Sequence, residues 1–444
     1  MWPFQPALSS FAGGSDTPSA FLEHCLACMA AHEGEIGAFV HVNADGARQA
    51  AAQSTARWKA GKPLSRIDGM PVGIKDIVET IDMPTEMGSP LYKGWQSGRD
   101  AASVAALREA GAVILGKTVT TEFAATFPGG TRNPWDVKRT PGGSSSGSAA
   151  GVAAGMISAG LGTQVVGSII RPASFCGCVG YKPSLGAINR GGSHDGLSQS
   201  CHGVLAASLE DAWNFCWAIA QRAGGDPGFP GLAGPEDMPR AKRPRTLAVL
   251  ETSGWAHASQ SAKAAFMEAV ARVQAAGVRI IGRRNDALVA EVETALEQAR
   301  RITDAVNAWE SRWPLNTYRQ KNAPALSKFM LDRLALAEGM SIDDYRAALA
   351  ERTRVRAVYA RLAPVADAAV TLSATGAAPE GLHSTGNPIF AVAGSVLGVP
   401  AISLPVLNDE GLPLGLQAMG FEQDDAGLLG VAAWFRDTLQ KDMT

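Results

Sequence analysis

The segment from Pro141 to Ala173, PGGSSSGSAAGVAAGMISAGLGTQVVGSIIRPA, constrains the fold of this chain more than any other segment. It carries no charge as far as Ile170, and glycines crowd around two of its serines, Ser144 and Ser168. Glycine lets the backbone bend sharply around a hydroxyl group and leaves N–H groups accessible beside it. The segment therefore predicts a sharp turn, a helix of very small residues and a second turn that exposes a nucleophile beside free N–H groups.

The small-residue segment also raises the question of a membrane helix. Gly147, Gly151 and Gly155 repeat at the GxxxG spacing found in helix dimers within bilayers. Alanine and glycine give a weak drive for insertion compared with leucine or isoleucine, so a buried helix of a soluble protein is the better interpretation. The first residues lack the basic region and apolar core of a signal peptide, and we expect a cytoplasmic protein with no membrane partner.

Composition excludes several classes of function. The chain has 444 residues, 46% hydrophobic and 18% charged, which is typical of a globular enzyme with a large core. Its formal net charge of −2 argues against a nucleic-acid partner, which usually requires a basic excess. Six cysteines are few for this length, so we expect no disulfide framework.

A metal site is the alternative interpretation of three residues near the N-terminus. His24, Cys28 and His32 fall at i, i+4 and i+8 and would share one face of a helix. A zinc site needs a fourth ligand at a suitable spacing, and none is evident. We therefore interpret these residues as the side of an amphipathic helix and expect no metal.

Hydrophobic periodicity predicts an α/β protein in which strands and helices alternate around a large sheet. Loops are expected at 128–143 and at the Gly/Pro-rich segment 224–245. The helix at 100–110 is expected to be capped by Asp100. The predicted strands are 67–78, 113–115, 179–182, 246–250, 278–281, 368–372, 401–404 and 414–419. The predicted helices are 18–60, 100–110, 144–160, 208–223, 261–276, several within 287–360, and 425–439.

Two catalytic motifs fit the Gly/Ser segment poorly. Gly143–Gly147 matches the GxSxG nucleophile elbow, with Ser145 as nucleophile, but a polar loop precedes it where a strand is required. Nothing around His257 or His383 marks the histidine of a triad. A phosphate-binding loop would need a lysine that this segment lacks. Ser145 and Ser146 have the simpler interpretation of helix caps.

A third interpretation joins the segment to motifs elsewhere, and the chain resembles the amidase signature family in their sequence and order. The resemblance covers nearly the whole chain. The matching motifs are PVGIKD (71–76), REAGAVILGKT (108–118), TRNPWD (131–136), GGSSSGSAAGVAAG (142–155), LGT (161–163), GS (167–168), RPASFCGCVGYKPS (171–184) and GNPIFAVAGSVLGVPAISLPV (386–406).

The resemblance implies a mixed β-sheet sandwiched between layers of α-helices and an amide hydrolase with a Ser–cis-Ser–Lys triad. By motif position Ser168 is the nucleophile, Ser144 the bridging serine after a cis peptide, and Lys75 the base. A serine hydroxyl needs an adjacent base, and a lysine serves only when burial keeps it neutral. The family implies an oxyanion hole made by the N–H groups of Val165, Val166, Gly167 and Ser168, and it implies no metal or organic cofactor.

The nucleophile loop departs from the family's common form, GTDTGGSIRIPA, and resembles the malonamidase-like subgroup. Gln164 replaces an aspartate and Ile170 replaces an arginine, which is how the paired loss of a buried ion pair should look. Val166 replaces a glycine, and Arg171 appears three residues after the nucleophile. Arg171 has two interpretations: it binds a substrate carboxylate, or it braces the loop through Gln164 or backbone carbonyls.

The expected function is hydrolysis of a small carboxamide to an acid and ammonia, with a carboxylate-bearing amide as one candidate substrate. The alternatives are the glutaminase component of an aminoacyl-tRNA amidotransferase, and an inactive binding protein on the same fold. We expect one domain over 1–444, with its core motif at 130–185 and a pocket-covering region at 246–360. Neither the substrate nor the oligomeric state follows from the sequence, and a homodimer stays open.

Four further residues are candidates for the pocket. Trp309 and Trp313 lie in the helical region, where core or surface packing is an equal alternative. His194 and Asp195 belong to the loop at 190–202, whose role the sequence does not define. Cys176 lies within the SFCG motif and is expected to be a small buried hydrophobic residue rather than a nucleophile.

Overall fold

The computed structural model describes residues 1–440, and within that range eleven strands form a single mixed sheet. Their bounds are β1 Phe39–Val42, β2 Pro71–Lys75, β3 Val113–Thr118, β4 Ala159–Gln164, β5 Val179–Lys182, β6 Cys201–Ala206, β7 Thr246–Val249, β8 Arg279–Gly282, β9 Ala368–Leu372, β10 Ala401–Asp409 and β11 Leu412–Met419. The strands lie side by side in the order β1-β3-β2-β4-β6-β5-β10-β11-β9-β7-β8.

Parallel and antiparallel pairs alternate in blocks along the sheet. Strand β2 pairs in parallel with β3 and β4, and β7 pairs in parallel with β8 and β9. The central strands β4, β6, β5, β10, β11 and β9 are joined by antiparallel pairs. All residues of β2 and β4 are buried, which is expected for strands covered by helices on both faces.

Helices cover both faces of the sheet, as the resemblance implies. Their bounds are α1 Leu8–Gly13, α2 Pro18–Ile36, α3 Ala44–Lys59, α4 Ala102–Glu109, α5 Ser146–Ala153, α6 Ile170–Cys176, α7 Leu209–Ala223, α8 Gln260–Ala275, α9 Ala287–Leu296, α10 Ala299–Asn322, α11 Lys328–Glu338, α12 Ile342–Ala360, α13 Ile389–Leu397 and α14 Asp425–Leu439. One face carries α4, α7, α8 and α14, and the other carries α3, α5, α6, α9, α10, α12 and α13.

The small-residue helix α5 lies directly on the backbone of the sheet. Gly147 donates its N–H to the carbonyl of Val119 at 3.0 Å. A Cβ atom at Gly147 would come within 2.1 Å of the Ala38 carbonyl oxygen and 2.4 Å of the Val119 nitrogen. This contact explains the glycine at that position and fixes the loop before α5, which carries Ser144, against the sheet.

The predicted elements agree best where the hydrophobic pattern is uninterrupted. The strands at 179–182 and 368–372 and the helix at 425–439 have the bounds expected from the sequence. The helix predicted at 208–223 begins one residue later, because Ser208 is its N-cap and accepts the N–H of Asp211. The segment 224–245 contains no helix or strand, as its glycines and prolines predict.

Three predictions of local structure are wrong. The helix expected over 18–60 is interrupted by β1, whose residues pair with β3. The helix expected over 144–160 ends at Ala153, and residues 159–164 form β4 instead. Ala101 rather than Asp100 is the N-cap of α4, since the Asp100 carboxylate accepts the N–H of Ile81 and pairs with Arg108.

The six cysteines are free thiols, and Cys176 is fully buried. The Cys28 sulfur lies 3.9 Å from His24 Nε2, and the His24 ring packs edge-on against Trp2. Over residues 1–440 no group of three or more His, Cys, Asp or Glu side chains is arranged to hold a metal ion. Across the same residues, every helix is too short or too polar to cross a membrane.

Candidate active site

Lys75 is the last residue of β2 and is completely buried. Val72 and Ile74 belong to the core on one face of the sheet, so Lys75 faces the opposite side, where α5 lies. Its Nζ lies 2.6 Å from Ser144 Oγ and 2.8 Å from Thr163 Oγ1. The sheet thus places the lysine against the serine that precedes α5.

Burial lowers the pKa of Lys75 to about 7, and the negative charge of Asp195 opposes this shift. Lys117 on the neighbouring strand shows the contrast. It is also fully buried, but its Nζ lies 3.3 Å from the carboxylate of Asp76. Lys75 has no carboxylate within ion-pair distance among residues 1–440, so a large fraction of it is neutral near pH 7.

Two further polar side chains are buried close to Lys75. Asp195 accepts hydrogen bonds from Ser193 Oγ and Ser200 Oγ, both at 2.7 Å. His202 pairs across the sheet with Thr163, and both of its ring nitrogens are buried without a hydrogen-bond partner. Burial lowers the pKa of His202 to about 4, so its ring is neutral beside the Asp195 carboxylate.

Ser144 follows a cis peptide bond from Gly143 and is completely buried. Its carbonyl accepts the N–H of Thr121 at 3.3 Å, and the Gly143 carbonyl accepts Arg171 Nη2 at 2.7 Å. A Cβ atom at Gly143 would come within 2.8 Å of the Thr385 methyl group. Contacts on both sides of the cis peptide therefore fix the direction of the Ser144 hydroxyl.

Ser168 lies between β4 and α6 and is 8% exposed. Its carbonyl accepts the N–H of Ser145 at 3.3 Å, which joins the two serine-bearing loops. The side chain lines a cavity of about 750 Å³, into which Arg171 and Asp195 also project. Of the three residues assigned to the triad, Ser168 is the one that lines this cavity.

The loop from Val165 to Ser168 presents four backbone N–H groups that bind nothing else among residues 1–440. The first turn of α6 follows directly, and Gly167 accepts the N–H of Arg171 as that turn begins. The first N–H groups of a helix have no partner within the helix and attract negative charge. The loop therefore has the donors and the polarity that an oxyanion needs.

Side chains from three directions hold this loop in place. Gln164 accepts the N–H groups of Ile169 and Ile170 at 2.9 and 3.0 Å and donates to Ser395 Oγ at 3.0 Å. Ser395 Oγ donates to the Val166 carbonyl at 2.9 Å. Gln199 Nε2 donates to the Val165 carbonyl at 3.0 Å. Neutral hydrogen bonds thus brace the loop at the position where the common family pattern has an aspartate and an arginine.

The arrangement of a buried lysine, a cis-linked serine and a cavity serine agrees with the motifs, and a comparison of the whole chain decides the family. The model of the family described as Amidase matches residues 20–429. The chain belongs to the amidase signature family. It is therefore an enzyme of the class that cleaves carbon–nitrogen amide bonds.

Relatives and solved structures agree with this assignment. The amidase is 33% identical to one component, the A chain type, of the Glutamyl-tRNA(Gln) amidotransferase from Anaeromyxobacter sp. (strain K), over 93% of this chain and 91% of that protein. A solved structure described as an amidase is 27% identical, with a TM-score of 0.84, over 99% of this chain and 100% of that one. The native peptide amidase from Stenotrophomonas maltophilia shares the fold, at 24% identity and a TM-score of 0.77, over 99% and 97%.

Arg171 of this amidase both braces the loop and lines the cavity. Its Nη2 donates to the Gly143 carbonyl and, at 3.0 Å, to Thr385 Oγ1. It does not contact Gln164, which the bracing interpretation also named. Its Nε and Nη1 are buried without a hydrogen-bond partner. Burial lowers the pKa of Arg171 to about 9, so the guanidinium is still charged at neutral pH.

Helices α10 and α11 form the wall of the amidase cavity that faces Ser168. The wall is aromatic on one side, where Phe123 and Tyr318 stack with their ring centroids 4.6 Å apart. The lining includes residues between 300 and 336 and none between 246 and 299. Residues 246–282 instead complete the edge of the sheet as β7, α8 and β8, since β7 pairs with β9.

The other sequence candidates divide between the cavity and the surrounding structure. His194 and Asp195 line the cavity, and so does Trp313, which is 71% exposed. Trp309 does not line it, because its ring stacks on Tyr345. Ser145 caps no helix: its hydroxyl donates to the Thr163 carbonyl at 3.3 Å.

Sequence reasoning missed several residues that shape the site. Ser146 also donates to a strand carbonyl, that of Val119, rather than capping α5. Thr163 lies within the quoted LGT motif, which was the available signal for its contact with Lys75. No signal marked Gln199 or Ser395, whose contacts join segments more than 30 residues apart in sequence.

Proposed function

We propose that this amidase hydrolyses a carboxamide through an acyl-enzyme on Ser168, with Ser144 as the bridging hydroxyl and Lys75 as the base. One observation carries the proposal. Lys75 is buried without an ionic partner, its pKa is lowered to about 7, and its Nζ lies 2.6 Å from Ser144 Oγ. A base with a pKa near the working pH accepts and returns protons efficiently.

In this mechanism Ser168 Oγ attacks the carbonyl carbon of the amide. Its proton passes to Ser144, whose own proton passes to the neutral amine of Lys75. The carbon–nitrogen bond then breaks, and the leaving ammonia takes a proton back along the same path. A water molecule attacks the ester on Ser168, again losing a proton to the relay, and the carboxylic acid leaves.

The N–H groups of Val165, Val166, Gly167 and Ser168 serve as the oxyanion hole in this proposal. The carbonyl oxygen of the substrate becomes negative as Ser168 attacks, and donors that are already oriented stabilise it without reorganisation. The braces from Gln199 and Ser395 to the loop carbonyls support the assignment, because each fixes the plane of a peptide that carries one of these N–H groups.

We further propose that Arg171 binds a carboxylate on the substrate, close to the amide that reacts. A buried guanidinium whose Nε and Nη1 have no partner is costly unless an anion completes it. A carboxylate accepts two parallel N–H bonds from such a group. The substrate would then be the monoamide of a small dicarboxylic acid.

The first experiment measures ammonia release from malonamate and from its methyl ester, with Ser168→Ala as the blank. A strong preference for malonamate supports both the triad and the role of Arg171. A preference for the ester overturns the role of Arg171 and leaves the triad. Absence of Ser168-dependent release from either compound, and from other simple amides, contradicts the proposed hydrolase activity.

An Arg171→Lys variant separates the two roles of this side chain. It retains one positive charge but loses the fork that holds both the Gly143 carbonyl and a carboxylate. Loss of carboxylate binding lowers the acid-to-ester ratio of kcat/KM. Loss of bracing lowers both rates equally and leaves the ratio unchanged.

A second candidate, the glutaminase component of an amidotransferase, is favoured by the 33% identity to such a protein over 93% of this chain. The neutral Gln164 and Ile170 argue against it, because the usual loop retains the charged pair. Purification of the tagged chain from its native cell tests it. Glutamine hydrolysis only in the presence of co-purified partners would replace the free-standing amidase. Labelling of Ser168 by a fluorophosphonate would exclude an inactive binding protein.

A further inference from the structure

The cavity is larger than a small monoamide requires. Its volume of about 750 Å³ lies within the usual range for drug-sized ligands, about 300–1,000 Å³. Ser168 and Arg171 occupy one part of its lining, and α10 and α11 supply much of the remainder. A substrate that fills this space extends well beyond the proposed carboxylate contact at Arg171.

A second pair of arginines lies in the part of the cavity lined by α10 and α11. Arg300 pairs with Asp304 on the same helix, with its Nε 2.7 Å from Oδ2. Arg300 lowers the pKa of both Arg171 and Arg333, whereas Arg333 is not among the charges that act on Arg171. The three guanidinium groups therefore follow one another along the cavity, with Arg300 in the middle.

Arg333 is the cavity arginine without a partner. It is half-buried on α11, and it donates no hydrogen bond to any group among residues 1–440. Burial lowers its pKa to about 10, and the nearby Arg300 adds to this shift while Asp304 opposes it. The side chain is still positively charged at neutral pH, in a place where its charge is only partly compensated.

The other carboxylates that line the cavity do not compensate Arg333, because each is already engaged. Asp332 is 2.6 Å from Lys328 Nζ and faces outward from α11. Glu310 accepts the Ser198 N–H and hydroxyl and the Tyr345 hydroxyl, and Asp195 is held by Ser193 and Ser200.

We propose that Arg333, with Arg300 beside it, is a distal subsite for a carboxylate of the substrate. The substrate would be an amide that carries one carboxylate near the scissile bond and another at the end of an apolar chain. The stacked Phe123 and Tyr318 and the side chain of Met330 line the same cavity and suit such a chain. This inference rests on the proposed hydrolase function and adds the length and charge of the substrate to it.

The test uses malonamates substituted on the amide nitrogen with alkyl chains of graded length, each ending in a carboxylate or its methyl ester. The readout is release of the matching amine in place of ammonia. At one chain length we expect the wild-type kcat/KM to favour the carboxylate by about 10- to 100-fold, the range of a charge-assisted hydrogen bond. Arg333→Gln should bring the carboxylate down to the rate of its ester, and Arg333→Lys should retain part of the preference.

Arg346→Gln is the matched control, because Arg346 is an exposed arginine on α12 that pairs with Asp343 and lies outside the cavity lining. It should leave the preference unchanged. Equal rates for acid and ester at every length, or a preference that survives in Arg333→Gln, would overturn the distal subsite. Ser168-dependent turnover of the esters in those cases leaves the proposed hydrolase intact.

A binding measurement covers the case in which none of these compounds is turned over. Calorimetric titration of the Ser168→Ala protein with linear dicarboxylates of graded length reports the subsite without catalysis. Binding that weakens about 10-fold or more in the Arg333→Gln, Ser168→Ala double variant supports the subsite even if the hydrolase proposal fails. Binding that is absent or unchanged in the double variant overturns it.

Discussion

Lys75 and Lys117 are two buried lysines whose surroundings give them opposite roles. Lys117 is neutralised by Asp76 and accepted by neighbouring oxygens, so it is part of the structure. Lys75 contacts only uncharged oxygens, those of Ser144 and Thr163. Removing either amine should therefore change stability and activity in different directions.

We expect Lys75→Met to lower kcat/KM by about 10²- to 10⁴-fold, the usual contribution of a general base. Its melting temperature should equal or exceed that of the wild type, because the variant no longer buries an unpaired amine. Amide hydrolysis assays and thermal unfolding measure the two effects.

Lys117→Met is the matched comparison. It leaves the buried Asp76 carboxylate without its partner, so we expect it to lower the free energy of unfolding by about 3–5 kcal/mol. A Lys75→Met protein that melts well below the wild type, or that retains its activity, would contradict the distinction between the two lysines.

Asp195 should set the pH at which the amidase becomes active. Lys75 accepts a proton only when neutral, so activity should fall as the pH falls through the pKa of about 7. Asp195 raises that pKa, because its negative charge favours the ammonium form. Asp195→Asn should therefore shift the acidic limb of the kcat/KM profile to lower pH.

The pH profiles of the wild type, Asp195→Asn and the exposed control Asp343→Asn measure this shift. The control should leave the limb in place. An acidic limb that is unchanged, or displaced to higher pH, in Asp195→Asn would show that Lys75 is not the group that titrates.

At the scale of single elements, α5 depends on the absence of side chains where it meets the sheet. Gly147→Ala would place a methyl group against two backbone groups that cannot move aside, and we expect a loss of about 1–3 kcal/mol in the free energy of unfolding. Gly151→Ala is the control on the same helix, since its Cβ would be 3.4 Å from Ile157 and would meet only ordinary contacts. Denaturant titration of both variants measures the difference, and equal stabilities would refute the argument.

The loop of the oxyanion hole should depend on its braces for orientation rather than for stability. Gln199→Met removes the donor to the Val165 carbonyl while retaining the volume of the side chain. We expect kcat to fall about 10-fold, within the loss of one oriented donor, with KM and the melting temperature nearly unchanged. Gln260→Met, at an exposed position of α8, is the control, and a parallel rise in KM would indicate a role in substrate binding instead.

Elements were predictable from the sequence where local pattern and long-range packing agree. The helix α14 and the strands β5 and β9 have continuous apolar patterns, and their bounds follow directly. Strand β1 was missed because Phe39–Val42 lies between two alanine-rich helices and gains its conformation by pairing with β3. Strand β4 was missed because its glycines and small residues resemble the end of α5.

At the scale of the whole molecule, the helices over the cavity are anchored by a small core of their own. Leu315, Leu326, Met330 and Leu334 form a cluster separate from the three larger cores. Regions with few buried apolar contacts open at lower free energy than the main core. We therefore expect amide hydrogen exchange in 315–338 to be faster than in α5 and the central strands.

Phosphonylation of Ser168 by a reagent that fills the cavity should slow this exchange. Mass spectrometry of the free and modified protein measures it, with α14 as the internal reference because it packs on the opposite face of the sheet. Exchange in 315–338 that is as slow as in α5 before modification would contradict the independent opening of this region.

The sequence located the residues proposed for chemistry far better than those that shape the cavity. Lys75, Ser144 and Ser168 were assigned from motifs, and the fold brings Lys75 and Ser144 within 2.6 Å. Phe123 and Arg333 gave no signal, because their positions in the lining depend on how α10 and α11 lie over the sheet. Such long-range packing has no local pattern that a sequence displays.

The positions of these two sets of residues along the chain have a consequence for how amidases of this kind diversify. The proposed chemical groups all lie between Lys75 and Ser168, whereas the arginines of the distal subsite lie between 300 and 333. A recombination event that exchanges 299–338 for the same region of another family member would transfer a new substrate range while leaving the hydrolytic apparatus intact. Selection can thus act on what is cleaved and on how it is cleaved as separately inherited traits.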